Sequence, residues 1–233
     1  MIRANVRTQK TRIDKIGNKL STLNSSGKGS NTVRYYDGAD PDDIWAVKSA
    51  GIDPSNGKEL FYAKDGSYTY DFSYDDEVIC GNTRPDVEGV IGSSLNWKGF
   101  SVSLNFRYQM GADVFNEALY SKVENISRSD LNKNQDKRAL YERWQEEGDI
   151  VRFKNIASAE TTPMSSRFVQ EENVLTLESV YLGYEFYDGW IKKLGLSSLK
   201  FQVSMRDVFR ASTIRSERGI SYPFARSMEA GLS

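Results

Sequence analysis

Residues 100–110 alternate without a break: Phe100, Val102, Leu104, Phe106, Tyr108 and Met110 are apolar or aromatic, and Ser101, Ser103, Asn105, Arg107 and Gln109 between them are polar. Period two over this length predicts a β-strand with one face turned away from water. Its length is that of a tilted membrane-crossing strand, roughly 9–11 residues, and aromatic residues stand at both ends of the apolar row, where interfacial girdles sit. A partner precedes it from Val90 to Trp97, with Ile91, Leu95 and Trp97 on one face and Ser94 and Asn96 on the other. Lys98-Gly99 between the two predicts a tight hairpin turn.

A second hairpin is expected near the end. Val180, Leu182, Tyr184 and Phe186 alternate with Ser179, Tyr181, Gly183 and Glu185. After a connection through Gly189 and Gly195, Leu199, Phe201, Val203 and Met205 alternate with Lys200, Gln202, Ser204 and Arg206. A last half-strand follows Pro223, with Met228, Ala230 and Leu232 on one side and Ser227, Glu229 and Gly231 on the other. Long polar connections separate these strands, at about Tyr35–Glu88, Gly111–Asn173 and Phe209–Tyr222. Loops of that length argue against a compact soluble domain and fit a barrel in which short periplasmic turns alternate with long extracellular loops. One surface helix is predicted from about Gln135 to Glu147, capped by Asn134, closed by Gly148, with Leu140 and Trp144 packed on neighbouring loop. Ser21–Thr32, rich in Ser, Gly and Asn, reads as a flexible loop tip.

Composition narrows the chemistry. The apolar fraction is 39% and the aromatic fraction 12%, a mix that favours strands and turns over packed helices. There is no histidine, and Cys80 is the only cysteine, which removes an internal disulfide, imidazole metal sites, thiolate clusters within the chain, and His-dependent nucleophile systems. The formal charge of −1 leaves no overall footprint for nucleic acid. The basic start (Arg3, Arg7, Lys10, Arg12, Lys15 and Lys19) is a thin signal for nucleic acid or anionic lipid, since of these only Arg3 and Arg7 fall on one strand face. No apolar run reaches the roughly 18 residues of a membrane helix, which does not count against a barrel, since barrel strands alternate. Met1–Asn5 is not followed by the apolar run of a signal peptide, so an export signal is expected upstream.

The loops carry more specific patterns. Asp43 to Phe61 (DIWAVKSAGIDPSNGKELF), followed by Lys64-Asp65-Gly66, resembles the "aGIDPxTGxxlf…kDG" segment of SusC/RagA-type TonB-dependent transporters of Bacteroidota. Gly81, Pro85 and Gly89 match that family's "G…P…gG" lead into a strand, and Arg143-Trp144 with Gly148-Asp149 match "RW…GD". Ser166-Arg167-Phe168-Val169, followed by Leu177, Leu182, Gly183 and Tyr184, resembles "SRFv…L…sLgY". Arg218-Gly219 and Tyr222-Pro223-Phe224-Ala225-Arg226 resemble the "ERG…YPFAR" ending. The resemblance runs from about Asn5 to Leu232. Arg206-Asp207 departs from it, standing where the family has an Asn-Asp or Asn-Leu pair, and the chain ends at Ser233 rather than on the family's terminal aromatic.

What the resemblance implies is an all-β fold: an antiparallel transmembrane β-barrel wall segment, about the last six strands of a barrel of roughly 22, with long extracellular loops and one short loop helix. Residues 1–233 are then the C-terminal part of a receptor barrel domain, with plug and earlier strands elsewhere. The implied function is import of oligosaccharides or peptides across the outer membrane, with a SusD-type lipoprotein lid, and with TonB acting through parts outside this chain. Alone, such a wall would leave strand edges unpaired in lipid. Ser101, Ser103, Asn105, Arg107 and Gln109 are the lumen-facing candidates. Phe100, Val102, Leu104, Phe106, Tyr108, Val180, Leu182, Tyr184, Phe186, Leu199, Phe201 and Val203 are the lipid-facing ones. Trp45 and Trp144 are candidates for contact with cargo or lid, or for anchoring their own loops. No catalytic, cofactor or metal site is expected. The acidic runs Asp75-Asp76-Glu77 and Glu146-Glu147 suggest solvated surface ahead of a glycosidase pair or a calcium site. The competing class is a secreted β-rich carbohydrate-binding module or carboxylate-only glycoside hydrolase, whose apolar rows would meet a second sheet.

Overall fold

A computed structural model describes residues 1–130, 132–158, 160–187, 189–214 and 226–232. In chain order the strands are β1 (Ile2–Ala4), β2 (Asp43–Val47), β3 (Ser49–Ile52), β4 (Glu59–Tyr62), β5 (Tyr68–Thr69), β6 (Glu77–Asn82), β7 (Val87–Trp97), β8 (Phe100–Phe115), β9 (Val169–Phe186), β10 (Leu199–Ser212) and β11 (Met228–Leu232). Three short α-helices accompany them: α1 (Ser21–Gly27), α2 (Arg138–Tyr141) and α3 (Gly189–Lys193). The chain divides into two compact units, one of residues 1–9, 85–111 and 172–233, the other of residues 10–84 and 112–171.

The first unit is an open sheet ordered β1-β7-β8-β9-β10-β11. The β7–β8 hairpin has the predicted turn: Trp97 pairs with Phe100, and both residues between them have positive φ, 47° at Lys98 and 88° at Gly99. That geometry matches the right-handed twist of the flanking strands. A side chain at position 99 would also put its Cβ 2.6 Å from the Glu185 carbonyl, so glycine is required twice over. The second predicted hairpin is present as β9 and β10, paired from Leu199↔Phe186 through Arg206↔Ser179, with a bulge before Phe209↔Leu177. Its connection holds α3, whose Ile191 is fully buried. β11 pairs with β10 from Phe201↔Leu232 to Met205↔Met228.

The second unit is made from what the sequence pattern marks as connection. It contains a two-stranded sheet, β2-β6, and a three-stranded sheet, β3-β4-β5. Its core is Leu119, Val123, Ala139, Phe153 and Phe168, with Phe115, Tyr120 and Ile126 packed against it. Five expectations need correction here. β8 and β9 run well past the predicted strand ends, to Phe115 and back to Val169, because Phe115 and Phe168 have a core of their own to enter. The helix expected over 135–147 is only Arg138–Tyr141, with no side-chain cap. Glu142 and Trp144 instead bond Phe153 through their backbones, which draws the chain out of helical register. Leu140 is exposed rather than packed. Gly148 does have positive φ, but in a turn well beyond the helix end. Ser21–Gly27 is helical, not a loop tip, and Asn24 within it is buried, exchanging hydrogen bonds with the backbone of Tyr35. Pro223 and the "ERG…YPFA" residues 217–225 lie outside the described residues.

Candidate transport wall and loop site

Directly opposed residues of antiparallel strands share a face, so the register shows which rows are brought together. On one face Trp97 meets Phe100, Leu95 meets Val102, and Ile91 meets Phe106, while Leu104 opposes Ser93 and Tyr108 opposes Gly89. On β9–β10 the pairs are Phe186↔Leu199, Tyr184↔Phe201 and Leu182↔Val203, with Val180 against Met205. β11 continues the row with Leu232, Ala230 and Met228. The Phe100 and Tyr184 rings, 4.4 Å apart, join β8 to β9 on this face. Tyr184 in turn stacks edge-on with Phe186, and Phe186 with Trp190, so one end of the row is a continuous aromatic cluster. No second layer covers it among the described residues: Leu95 and Trp97 are each 61% exposed, Phe100 53% and Leu182 50%.

The opposite face is polar. Ser101 faces Asn96, Ser103 faces Ser94, Asn105 faces Gly92, Arg107 faces Val90, and Gln109 faces Glu88. The Asn105 amide donates to Ser179 Oγ at 2.9 Å, tying β8 to β9. On β9 and β10 the Tyr181 hydroxyl donates to Gln202 Oε1 at 3.2 Å, and Lys200 lies over the Tyr181 ring. Arg107 pairs with Glu178, both partly exposed; such a pair contributes little to stability.

The loop unit is held by buried charge. Arg167 pairs with Glu59 at 2.9 Å and with Glu124 at 2.7 Å, all three side chains at most 10% exposed. Ser165 Oγ donates to Glu59, and Thr162 Oγ1 and the Lys154 backbone N–H donate to Glu124. Burial works against the Arg167 charge, but the Glu124 and Glu59 hydrogen bonds and charges outweigh it and raise the guanidinium's pKa. Arg34 and Glu77 form a second buried pair at 2.6 Å. Glu77 thereby leaves the acidic run at 75–77. Asp76 accepts from the Lys64 backbone and Asp75 pairs with Lys28, so the run is not a carboxylate pair. Among the described residues no cluster of acidic or cysteine side chains has the spacing to hold a metal.

The motif residues of the loops close turns. Asp53 accepts from the Ser55 N–H and from the Tyr70 hydroxyl, and its carbonyl accepts from the Gly57 N–H. The Tyr70 bond first, and the Ser55 bonds next, hold the Asp53 carboxyl below the usual range. Gly57 has φ 71°, and a Cβ there would lie 2.5 Å from the Trp144 ring. Trp144 Nε1 donates to the Pro54 carbonyl at 3.0 Å. Trp45 sits in β2, half-buried, its ring 5.1 Å from Tyr36, and its Nε1 is buried without a hydrogen-bond partner. Sequence reasoning missed the Arg167 and Arg34 clusters, because their partners lie 43 to 108 positions away. The one available signal was Arg167 within an "SRF" motif next to a core phenylalanine.

No family model matches the chain. It is 25% identical over 171 residues to TonB-dependent receptor P39 of Formosa agariphila, covering 72% of this chain and 16% of that protein. TonB-dependent receptor P3 of the same organism is 25% identical over 169 residues, with the same coverage. The chain is similar in sequence to a stretch of TonB-dependent receptors. The solved RagAB peptide importer in its open-open state superposes with a TM-score of 0.75 at 18% identity, covering 99% of this chain and 26% of that one. At that identity the likeness speaks for the fold alone, a β-barrel wall. The chain spans about a sixth of the length of the curated receptors it matches.

Proposed function

We propose that this stretch is barrel wall and extracellular loop of an outer-membrane transporter, and not part of an enzyme. It imports oligosaccharides or peptides with a SusD-type lipoprotein as lid and with TonB as energy source through other parts of the receptor. The observation that carries the reading is the two-faced single sheet. An apolar row half-exposed along several strands requires hydrocarbon or a second layer, and no second layer is present among the described residues. Phe100, Val102, Leu104, Phe106, Tyr108, Val180, Leu182, Tyr184, Phe186, Leu199, Phe201 and Val203 then face lipid, and Ser101, Ser103, Asn105, Arg107 and Gln109 line the lumen. Trp45 and Trp144 shape the loops that meet cargo or lid. The named relatives, TonB-dependent receptors and a peptide importer, support this reading.

Cysteine scanning in a Cys80→Ser background tests it. In outer membranes, Ser103→Cys and Asn105→Cys are expected to react with a charged maleimide, and Val102→Cys and Leu104→Cys with a lipid-soluble one only. Equal labelling of both rows by the charged reagent, or a protein that stays monodisperse without detergent, would overturn the reading.

A further inference from the structure

The loop unit contains a cavity of about 510 Å³ whose lining includes Arg128, Arg143, Lys154, Ile126, Ile156 and Ala157. Its cations are not balanced. Arg143 is 5% exposed, and its guanidinium donates to the carbonyls of Ala139, Lys154 and Glu124 rather than to a carboxylate. Lys154 Nζ donates to Asn125 Oδ1 and to the Glu160 carbonyl, which leaves the third ammonium N–H unassigned. Arg128, Arg143 and Lys154 form no ion pair with a described residue. Glu124 also lines the cavity but is taken by Arg167, and Glu160 is the remaining acidic group. Arg167 serves both Glu59 and Glu124 and leaves that cluster one net negative charge, so with Glu160 two negative charges stand against three cations, an excess of one positive charge.

We propose that this cavity receives the C-terminal carboxylate of a peptide, held by Lys154 and Arg128, while Ile126, Ile156 and Ala157 take the last side chain. The proposal rests on the uptake reading above and deepens it. The lining favours a peptide over an acidic glycan because it offers an aliphatic wall beside the cations and no aromatic ring on which a sugar face could stack. Burial, opposed by Glu124 and reinforced by Arg143 and Arg167, lowers the Lys154 pKa. An entering carboxylate relieves that penalty by supplying the missing counter-charge.

The test uses the full-length protein in detergent micelles and a mixture of random octapeptides, supplied as free acids and as C-terminal amides, with oligogalacturonate as the glycan arm. Bound species are quantified by mass spectrometry. The free acids should be retained about tenfold better than the amides, the value of one charge-assisted hydrogen-bond contact. Lys154→Gln should bring that ratio close to one, and Lys154→Arg should restore it. Arg128 is exposed, so Arg128→Gln tests the site without risk to folding and should reduce the ratio severalfold. Equal retention of acids and amides would overturn the proposal while leaving peptide uptake intact. Retention of oligogalacturonate alone, dependent on Lys154, would overturn the peptide assignment in favour of a uronate. Failure of folded wild-type protein to retain either class would overturn both the site and the uptake reading beneath it.

Discussion

In the six-stranded sheet, Leu95, Phe100 and Leu182 keep half or more of their surface exposed, whereas in the loop unit Phe168, Val123, Ile44 and Val47 are at most 1% exposed. The contrast runs against sequence hydropathy. The sheet has the cleaner apolar alternation and the loop unit the more polar sequence, yet the loop unit has the packed apolar core, while the sheet's row through Leu95, Phe100 and Leu182 stays exposed. The polar sequence achieves this by burying charge as well. Arg34–Glu77 and Glu59–Arg167–Glu124 are internal; Arg34 also donates to the Asn31 and Val33 carbonyls, and Glu59 and Glu124 also accept from the Ser165 and Thr162 hydroxyls. The apolar alternation of the sheet is complete only with a partner outside the described residues, which under the proposed function is lipid.

The sharpest way to break this comparison is to remove the loop unit's central charge. Arg167→Met strands Glu59 and Glu124 as buried carboxylates, and a cost of about 3–5 kcal/mol is expected. It should appear as protease-sensitive loops in a protein whose sheet still assembles, and intact protease resistance would show that the cluster does not hold the unit. Next in size is the wall. Val102→Arg should destabilise membrane assembly by about 2–4 kcal/mol, measured by urea titration in lipid vesicles, while Ser103→Arg one residue away costs far less. Equal costs at the two positions would erase the two-faced wall. Gly57→Ala meets both a positive φ and the Trp144 ring, for about 1–3 kcal/mol, read as loosened loops by hydrogen exchange around residues 53–58 and 144–148.

The smallest effect expected is a pH dependence. The Asp53 pKa is lowered by its Tyr70 and Ser55 hydrogen bonds, and the Asp149 pKa by bonds from the Glu146 and Gln145 backbone. A folded pKa below the unfolded value of about 3.9 gives a contribution that is full above that value and is lost as the pH falls through the folded pKa. The turns at 53–58 and 145–149 should therefore loosen only in the acid range below about pH 4, and be indifferent between pH 5 and 8. Tyr70→Phe should shift the onset at the first turn upward, measured by proteolysis across a pH series.

Much of the sheet was legible in the sequence because its side chains obey a local rule. Residues two apart share a face, so the rows through Phe100–Tyr108 and Val180–Phe186 and the Lys98-Gly99 turn can be found without knowing what pairs with what. The loop unit follows no such rule. The 135–147 stretch has helical spacing, but backbone bonds from Glu142 and Trp144 to Phe153 take it out of the helix. Leu140 is apolar and stays exposed, while the side chains of Arg34, Arg143 and Arg167 are charged and at most 10% exposed.

The sequence by itself determined the strand periods, the hairpin turn, the two-faced character of the wall and the family resemblance, since these depend on neighbours within a few residues. Only the tertiary structure decided that the polar connections form a unit with its own core, which carboxylate meets which arginine, and where unpaired cations gather around a cavity. Those outcomes depend on pairings across 43 to 108 positions, such as Arg34 with Glu77 and Arg167 with Glu59. A charge carries no periodicity to announce its partner, and it is buried only where the folded chain brings that partner within hydrogen-bonding distance.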